Sequence, residues 1–192
     1  MFTDIIKYFM FYSNQFCGIL DTMIDYIFKK DDKLNIRKTI FVFLTLLCMA
    51  MIFYFSSQNA DTSTKESHKI GKFIGYMIEY DFQDWSPDAQ ERYAAKLDFP
   101  IRKTAHFLEY MLLGILLTGV FYEKKRPKKQ KVLIPFLIGT LYAVSDELHQ
   151  LFVGLGRACQ FRDILIDSGG VMAGILLAGL NIIIVRKILS VF

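Results

Sequence analysis

The sequence predicts an all-α polytopic membrane protein with four transmembrane helices, an amphipathic N-terminal helix and an external helical loop. Hydrophobic residues make up 53% of the 192 residues and charged residues 22%, so the apolar residues must be concentrated in blocks. Several of these blocks approach the roughly 20 residues that cross about 30 Å of hydrocarbon. The 3 cysteines are odd in number and match no Cys/His metal spacing, which excludes a disulfide framework.

The first 38 residues are predicted to stand apart from the transmembrane domain, which we assign to 39–187. Apolar residues recur at helical spacing over 2–28, and the polar residues of this segment fall largely on the opposite side. The pattern predicts an amphipathic helix with a net acidic polar face. This helix either lies along the membrane interface or packs on its own bundle, and a basic segment joins it to the first span.

Four apolar stretches are then predicted to span the membrane, over 40–55, 103–122, 132–153 and 164–185. The third stretch reaches spanning length only if its last two turns, which contain Asp146 and His149, are also helical. Gly170 and Gly174 in the fourth stretch form a small-xxx-small pattern, which lets a helix approach its neighbour closely.

The basic residues predict the orientation of these spans. Lys and Arg cluster before the first span, in the link between the second and third, and after the fourth. Because cytoplasmic segments carry the excess of positive charge, both termini are predicted to be cytoplasmic and the loop over 56–101 external. The same placement accounts for the net charge of +4 without a nucleic-acid partner. Within the loop, we expect a helix over 65–78 and a short helix opened by Ser86 and Pro87.

Ionisable residues occur inside the predicted spans at matched depths. At 1.5 Å per residue, Glu109 lies about 20 Å above Tyr122, and Asp146 lies about 21 Å above Val132. A charged side chain in a membrane costs at least about 2.5–3.5 kcal/mol, so such residues face a cavity or one another. Helical spacing gives them shared faces. We therefore predict one polar cleft near the outer leaflet, with a floor of His106, Glu109, Asp146, Glu147, His149, Gln150, Asp163 and Asp167.

Four cations are predicted to surround the mouth of this cleft, namely Arg102, Lys103, Arg157 and Arg162. They would hold the anionic head group of a ligand, since Arg binds phosphate in a bidentate manner and Lys acts as a point charge. We assign Gln150 to the same ligand-binding set. In the alternative interpretation, the cations snorkel or pair with the nearby acids.

The acids and imidazoles of the cleft admit three interpretations: general acid–base catalysis, a metal site, or a hydrogen-bonded network that sets helix packing. His and carboxylate groups bind zinc, but no His-Glu-x-x-His signature is present, and we predict neither a metal nor a cofactor. Ser56, Ser57 and Ser145 are predicted to form helix-end or interhelical hydrogen bonds. The candidate catalytic residues are His106, Glu109, Asp146, Glu147, His149, Asp163 and Asp167.

A series of short motifs follows the first span in a fixed order. The motifs are Phe55-Ser-Ser-Gln58, Arg102-Lys-x-x-His106-x-x-Glu109-Tyr110, Ser145-Asp-Glu-x-His-Gln150-x-Phe152, Gly156-Arg157, Asp163-x-x-x-Asp167 and Gly170-x-x-x-Gly174. In combination they resemble the VanZ-like family, and with the first span the resemblance covers 40–180. The family often has Asn at the position of Asp167, so the site of this chain is more acidic.

The resemblance implies a multi-pass protein of the bacterial plasma membrane. The founding member of the family is an accessory in glycopeptide resistance that affects the lipid-tailed drug teicoplanin. We therefore expect the cleft to bind an amphiphilic anion, such as a lipid-linked envelope precursor or a lipoglycopeptide, with membrane lipids as the other partners. Two alternatives are a membrane-embedded hydrolase or transferase acting on a lipid-linked phosphate or sugar, and a scaffold for cell-wall machinery.

Overall fold

The computed structural model describes residues 36–123, 126–153 and 160–189, and every regular element within them is helical. The amphipathic helix predicted over 2–28 lies outside the described residues. The five α-helices are α1 (Ile36–Ser56), α2 (Ala60–Ile78), α3 (Pro87–Phe121), α4 (Lys128–Val153) and α5 (Phe161–Leu189), and a 3₁₀ turn (Phe82–Asp84) lies between α2 and α3.

Four of these helices, α1, α3, α4 and α5, are long and apolar enough to cross a membrane, which confirms the predicted fold class. Each begins at or before the start of its predicted span. The last two turns of α4 are helical as far as Val153, so the polar residues Asp146 and His149 lie on a membrane helix. This was the condition on which the third span depended.

The second predicted span and the short helix at Ser86 and Pro87 are one continuous helix of 35 residues, so the predicted break between them is wrong. Ser86 does cap its start, with its hydroxyl accepting from the amide of Ala89 (3.3 Å). Pro100 lies inside this helix, although proline removes a backbone N–H and crowds the preceding turn. The ion pair between Asp98 and Arg102 (2.8 Å) joins the turns on both sides of that proline.

The first part of α3 pairs with α2 to form a helical hairpin, which comprises 60–98. Asn59 begins α2 by accepting a hydrogen bond from the amide of Thr62 (2.7 Å). Gly71 lies directly against the backbone of Ala94, and the buried Ser67 donates a hydrogen bond to Asp98. These contacts support the first turns of α3, which local sequence alone did not predict to be part of a membrane helix.

The remainder of α3 lies at the centre of a bundle with α1, α4 and α5. Gly170 and Gly174 place the backbone of α5 against that of α3 at Phe107 and Met111, and Gly114 does the same from α3. The small-xxx-small prediction is therefore confirmed. We call the end of the bundle nearest α2 the hairpin end; Arg37, which donates to the carbonyl of Tyr122 (3.0 Å), lies at the opposite, basic end.

Candidate functional site

The end of α1 meets the polar turns of α4 inside the bundle. The hydroxyl of Ser56 donates to Oδ2 of Asp146 (2.9 Å) and accepts from Nε2 of Gln150 (2.5 Å). Gln150 also donates to Oδ2 of Asp146 (3.3 Å), one helical turn before it. All three side chains are buried, so this is a hydrogen-bonded network between two membrane helices.

His149 directly precedes Gln150 on α4, and it contacts the last turn of α1 and the residue that follows this helix. Its Nε2 lies 3.3 Å from the hydroxyl of Ser57, and its ring packs on Phe53 with centroids 4.3 Å apart. The Ser57 hydroxyl donates its proton to the carbonyl of Phe53 (2.6 Å). It therefore has only its lone pairs to offer to His149, and the imidazole is the donor in that contact.

His106 and Glu109 face the same interior from α3. Nδ1 of His106 lies 3.6 Å from Oε2 of Glu109, and both side chains are partly buried. Glu109 interacts electrostatically with Asp146 on α4. The structure thus brings His106 next to Glu109 and Glu109 within electrostatic range of Asp146, whereas the contacts of His149 are with Ser57 and Phe53.

The acids on the α5 side extend this group. Lys103 of α3 pairs with Asp163 in the first turn of α5 (2.5 Å), and the amide of Gln160 donates to Glu147 (3.3 Å). Asp167 interacts electrostatically with Asp146, Glu147 and Asp163. We call the whole set the polar cluster; its members are Ser56, His106, Glu109, Asp146, Glu147, His149, Gln150, Asp163 and Asp167.

Tyr110 lies at the centre of the polar cluster. It is fully buried, and its hydroxyl has no hydrogen-bond partner among the described residues. It lies within electrostatic range of Asp146, Glu147 and Asp167. Buried hydroxyls normally form a hydrogen bond, so the Tyr110 hydroxyl is a donor available to the polar cluster or to a water molecule.

Three of the four cations predicted at the mouth of the cleft, Arg102, Lys103 and Arg162, lie at the hairpin end. Lys103 and Arg162, from different helices, both lie over the ring of Phe99, with their charged atoms 5.7 Å and 4.7 Å from its centroid. Arg102 pairs with Asp98, and about a third of its side chain is exposed. The alternative prediction, pairing with nearby acids, therefore describes Arg102 and Lys103 in this structure. Arg157 lies outside the described residues.

The arrangement offers buried hydrogen-bond acceptors beneath partly exposed cations. Asp146, Glu147, Asp163 and Asp167 are each less than 9% exposed, whereas Arg162 is exposed. Among the described residues, no three His, Cys, Asp or Glu side chains form a group that could hold a metal ion. The chemistry available to these groups is hydrogen bonding, proton exchange and capture of an anion at the mouth.

The sequence did not include α1 in the floor of the cleft. Ser56 and Ser57 were predicted to form helix-end or interhelical hydrogen bonds, and they do, but the partner of Ser56 is Asp146 itself. Phe99, which joins the two cations, was read only as part of the external loop. The signal for Ser56 was its position one residue after the apolar stretch, at the depth of the acids on the other helices.

A family model described as VanZ/LLP1 matches residues 41–184, a range that includes most of α1, all of α2 to α4, most of α5 and every member of the polar cluster. Neither the curated proteins nor the solved structures contain a match.

Proposed function

The chain belongs to the VanZ/LLP1 family, and on that premise we propose that it binds an amphiphilic anion at the hairpin end of its membrane bundle. One observation carries the proposal: Lys103 and Arg162 converge on Phe99 from two helices. Two like charges held this close create a positive potential that favours an anion. The acid that pairs with Lys103 is Asp163, so the pair balances only part of the positive charge.

The amphiphilic character of the ligand follows from where these cations lie. They stand at the end of helices long enough to cross a bilayer, above a polar cluster that accepts hydrogen bonds. A molecule with an anionic head, hydrogen-bond donors next to it and an apolar tail matches these surroundings in order of depth. Lipid-linked envelope precursors and lipoglycopeptides both have this composition.

The proposed orientation places the hairpin end at the outer leaflet of the bacterial plasma membrane, with both termini cytoplasmic. Arg37, Lys38, Arg126 and Lys131 lie at the basic end, as expected of a cytoplasmic surface. A cysteine in place of Tyr80, which is 97% exposed in the hairpin, tests this in a variant without native cysteines. An impermeant maleimide should label it in intact cells. Labelling only after permeabilisation would contradict the orientation.

Binding is tested with dodecyl phosphate and the purified protein in phosphatidylcholine nanodiscs, read out by native mass spectrometry. Arg162→Gln removes a cation next to Phe99 and should weaken binding about tenfold or more, because a hydrogen bond to a charged group contributes about 1.5–3 kcal/mol. Lys96→Gln is the matched control, since Lys96 is exposed on α3 above the site. Equal affinity of the wild type for dodecyl phosphate and for dodecyl maltoside would overturn the proposal.

A contribution to glycopeptide resistance is the finer form of this proposal. Expression of the chain in a susceptible bacterium should raise the inhibitory concentration of teicoplanin, and Arg162→Gln should reduce that effect. Vancomycin, which lacks the lipid tail, serves as the control drug. Equal protection against both drugs would contradict recognition of the tail.

A hydrolase or transferase acting on a lipid-linked phosphate or sugar is the second candidate function. The contact that favours it is the hydrogen bond from Ser56 to Asp146 (2.9 Å), since a hydroxyl next to a carboxylate is the geometry of an activated nucleophile. Asp146→Asn keeps the shape of the site and removes the base. An enzyme should lose turnover of a lipid-linked phosphate while it still binds dodecyl phosphate, and a binding protein should change in affinity alone.

A further inference from the structure

An apolar groove runs between α1 and α3 on the membrane-facing side of the bundle. It has a volume of about 260 Å³ and is lined by residues of α1 between Leu44 and Phe55 and by Glu109, Leu112 and Leu116 of α3. At 1.5 Å per residue, its α1 wall is about 16 Å long. Leu112 is 50% and Met51 51% exposed, so the groove opens outwards, to where lipid chains surround a membrane helix.

The groove ends at the polar cluster. Glu109 is the one charged side chain among the described residues that line it, and it lies towards the hairpin end, with Leu112 and Leu116 following along α3. Glu109 also contacts His106 and interacts with Asp146. The groove therefore reaches one member of the polar cluster, while the surface that it presents is entirely apolar.

The same face of α3 changes character with depth. Arg102 precedes Glu109 by two helical turns, or about 10 Å, and so lies on the same face nearer the hairpin end. Its Nε is buried and has no hydrogen-bond partner among the described residues. From the hairpin end inwards, this face presents a guanidinium, then a carboxylate with an imidazole, then two leucines. An amphiphile with an anionic head and a long tail has the complementary order.

We propose that the groove between α1 and α3 holds the hydrocarbon chain of a membrane-resident phosphate amphiphile whose head lies among the cations of the hairpin end, of which Arg102 is on the face of α3 that lines the groove. This inference rests on the proposed function and deepens it, because it assigns the tail of the ligand to a site. The chain enters sideways from the bilayer, because the groove is open to lipid and presents only apolar surface. The groove then contributes affinity in proportion to the apolar area that the chain buries.

Two alkyl phosphates that share one head group separate the tail from the head. The affinities of the wild type for hexadecyl phosphate and for butyl phosphate are measured in phosphatidylcholine nanodiscs. Leu112→Trp and Met51→Trp fill the groove from its two walls, so either variant tests the site if the other does not fold. Leu176→Trp is the control, because Leu176 is 62% exposed on α5 and does not line the groove.

We expect both groove variants to bind hexadecyl phosphate about tenfold more weakly than the wild type and to bind butyl phosphate with unchanged affinity. Leu176→Trp should bind both probes as the wild type does. Equal affinity of wild type and groove variants for hexadecyl phosphate would overturn the groove while leaving the anion site intact. Equal losses in the groove variants and in Leu176→Trp would also overturn it. If the wild type bound neither probe, the proposed function itself would fail.

Discussion

Two Ser–Asp hydrogen bonds, one in the hairpin and one in the membrane bundle, use the same groups in different surroundings. In the hairpin, Ser67 donates to Asp98, which also pairs with Arg102 and keeps 18% of its side chain exposed. In the bundle, Ser56 donates to Asp146, which is 2% exposed and also accepts from the neutral amide of Gln150. The hairpin carboxylate pairs with a cation and keeps some contact with water, whereas the bundle carboxylate is buried and accepts hydrogen bonds from a hydroxyl and an amide.

The difference between the two carboxylates indicates where substitutions destabilise this chain most. An ion pair with access to water contributes little, because water replaces much of what either partner loses. A buried carboxylate without its partners loses far more, since no solvent compensates for it. We therefore expect substitutions at the polar cluster to lower the free energy of unfolding more than the corresponding substitutions in the hairpin do. Equilibrium unfolding in mixed micelles measures the difference.

The largest effect is expected from Lys103→Met. It leaves Asp163, which is 8% exposed, without its cation and should lower the free energy of unfolding by about 3–5 kcal/mol. Asp163→Asn in the same chain should recover part of the loss, because the buried charge is then removed. A Lys103→Met protein as stable as Lys72→Met, whose pair lies in the hairpin, would contradict the comparison.

Gly174→Leu tests the packing that brings the two halves of the cluster together. A side chain there meets the backbone of α3 at Met111, so we expect a loss of about 3 kcal/mol, the upper end for overpacking. Gly179→Leu is the control on the same helix, since nothing lies within 4 Å of that position. Equal stability of the two variants would contradict the close approach of α5 to α3.

Ser56→Ala removes the hydroxyl shared by Asp146 and Gln150. The expected loss is about 1–3 kcal/mol, nearer the lower limit because Gln150 still donates directly to Asp146. Ser67→Ala should lower the free energy of unfolding by less, because Asp98 keeps its ion pair with Arg102. If Ser67→Ala proved the more destabilising, burial would not be what separates the two hydrogen bonds.

The smallest effect is expected from Glu91→Gln. Glu91 pairs with Lys72 (2.6 Å) and His68 (2.5 Å) on the surface of the hairpin, where its side chain is half exposed. The unfolding curve should coincide with that of the wild type, and dodecyl phosphate should bind with unchanged affinity. A measurable change in either would mean that the hairpin is coupled to the bundle through its surface charges.

The sequence predicted the spans well because each is a local property of the chain. Apolar length alone assigns α1 and α5, and helical spacing places His106 with Glu109 and Asp146 with Gln150. The helix at Ser86 and Pro87 was wrongly predicted to be separate from the second span, because the contacts of its first turns with α2 depend on tertiary packing. The sequence could not predict that Lys103 and Arg162 lie over the same ring, that of Phe99, because this contact also depends on tertiary packing.

By itself, the sequence determined that there are four apolar helices and that three of them carry ionisable groups at matching depths, because bilayer thickness and helical rise convert position in the chain into height. Only the tertiary structure decided which faces meet: that α1 supplies Ser56 to Asp146, that two cations share one aromatic ring, and that a groove leads from lipid to Glu109. Rotation of one helix about its axis leaves the depth of each residue unchanged and alters its contacts. The depth of a residue can therefore be predicted from the sequence, whereas its contacts with other helices cannot.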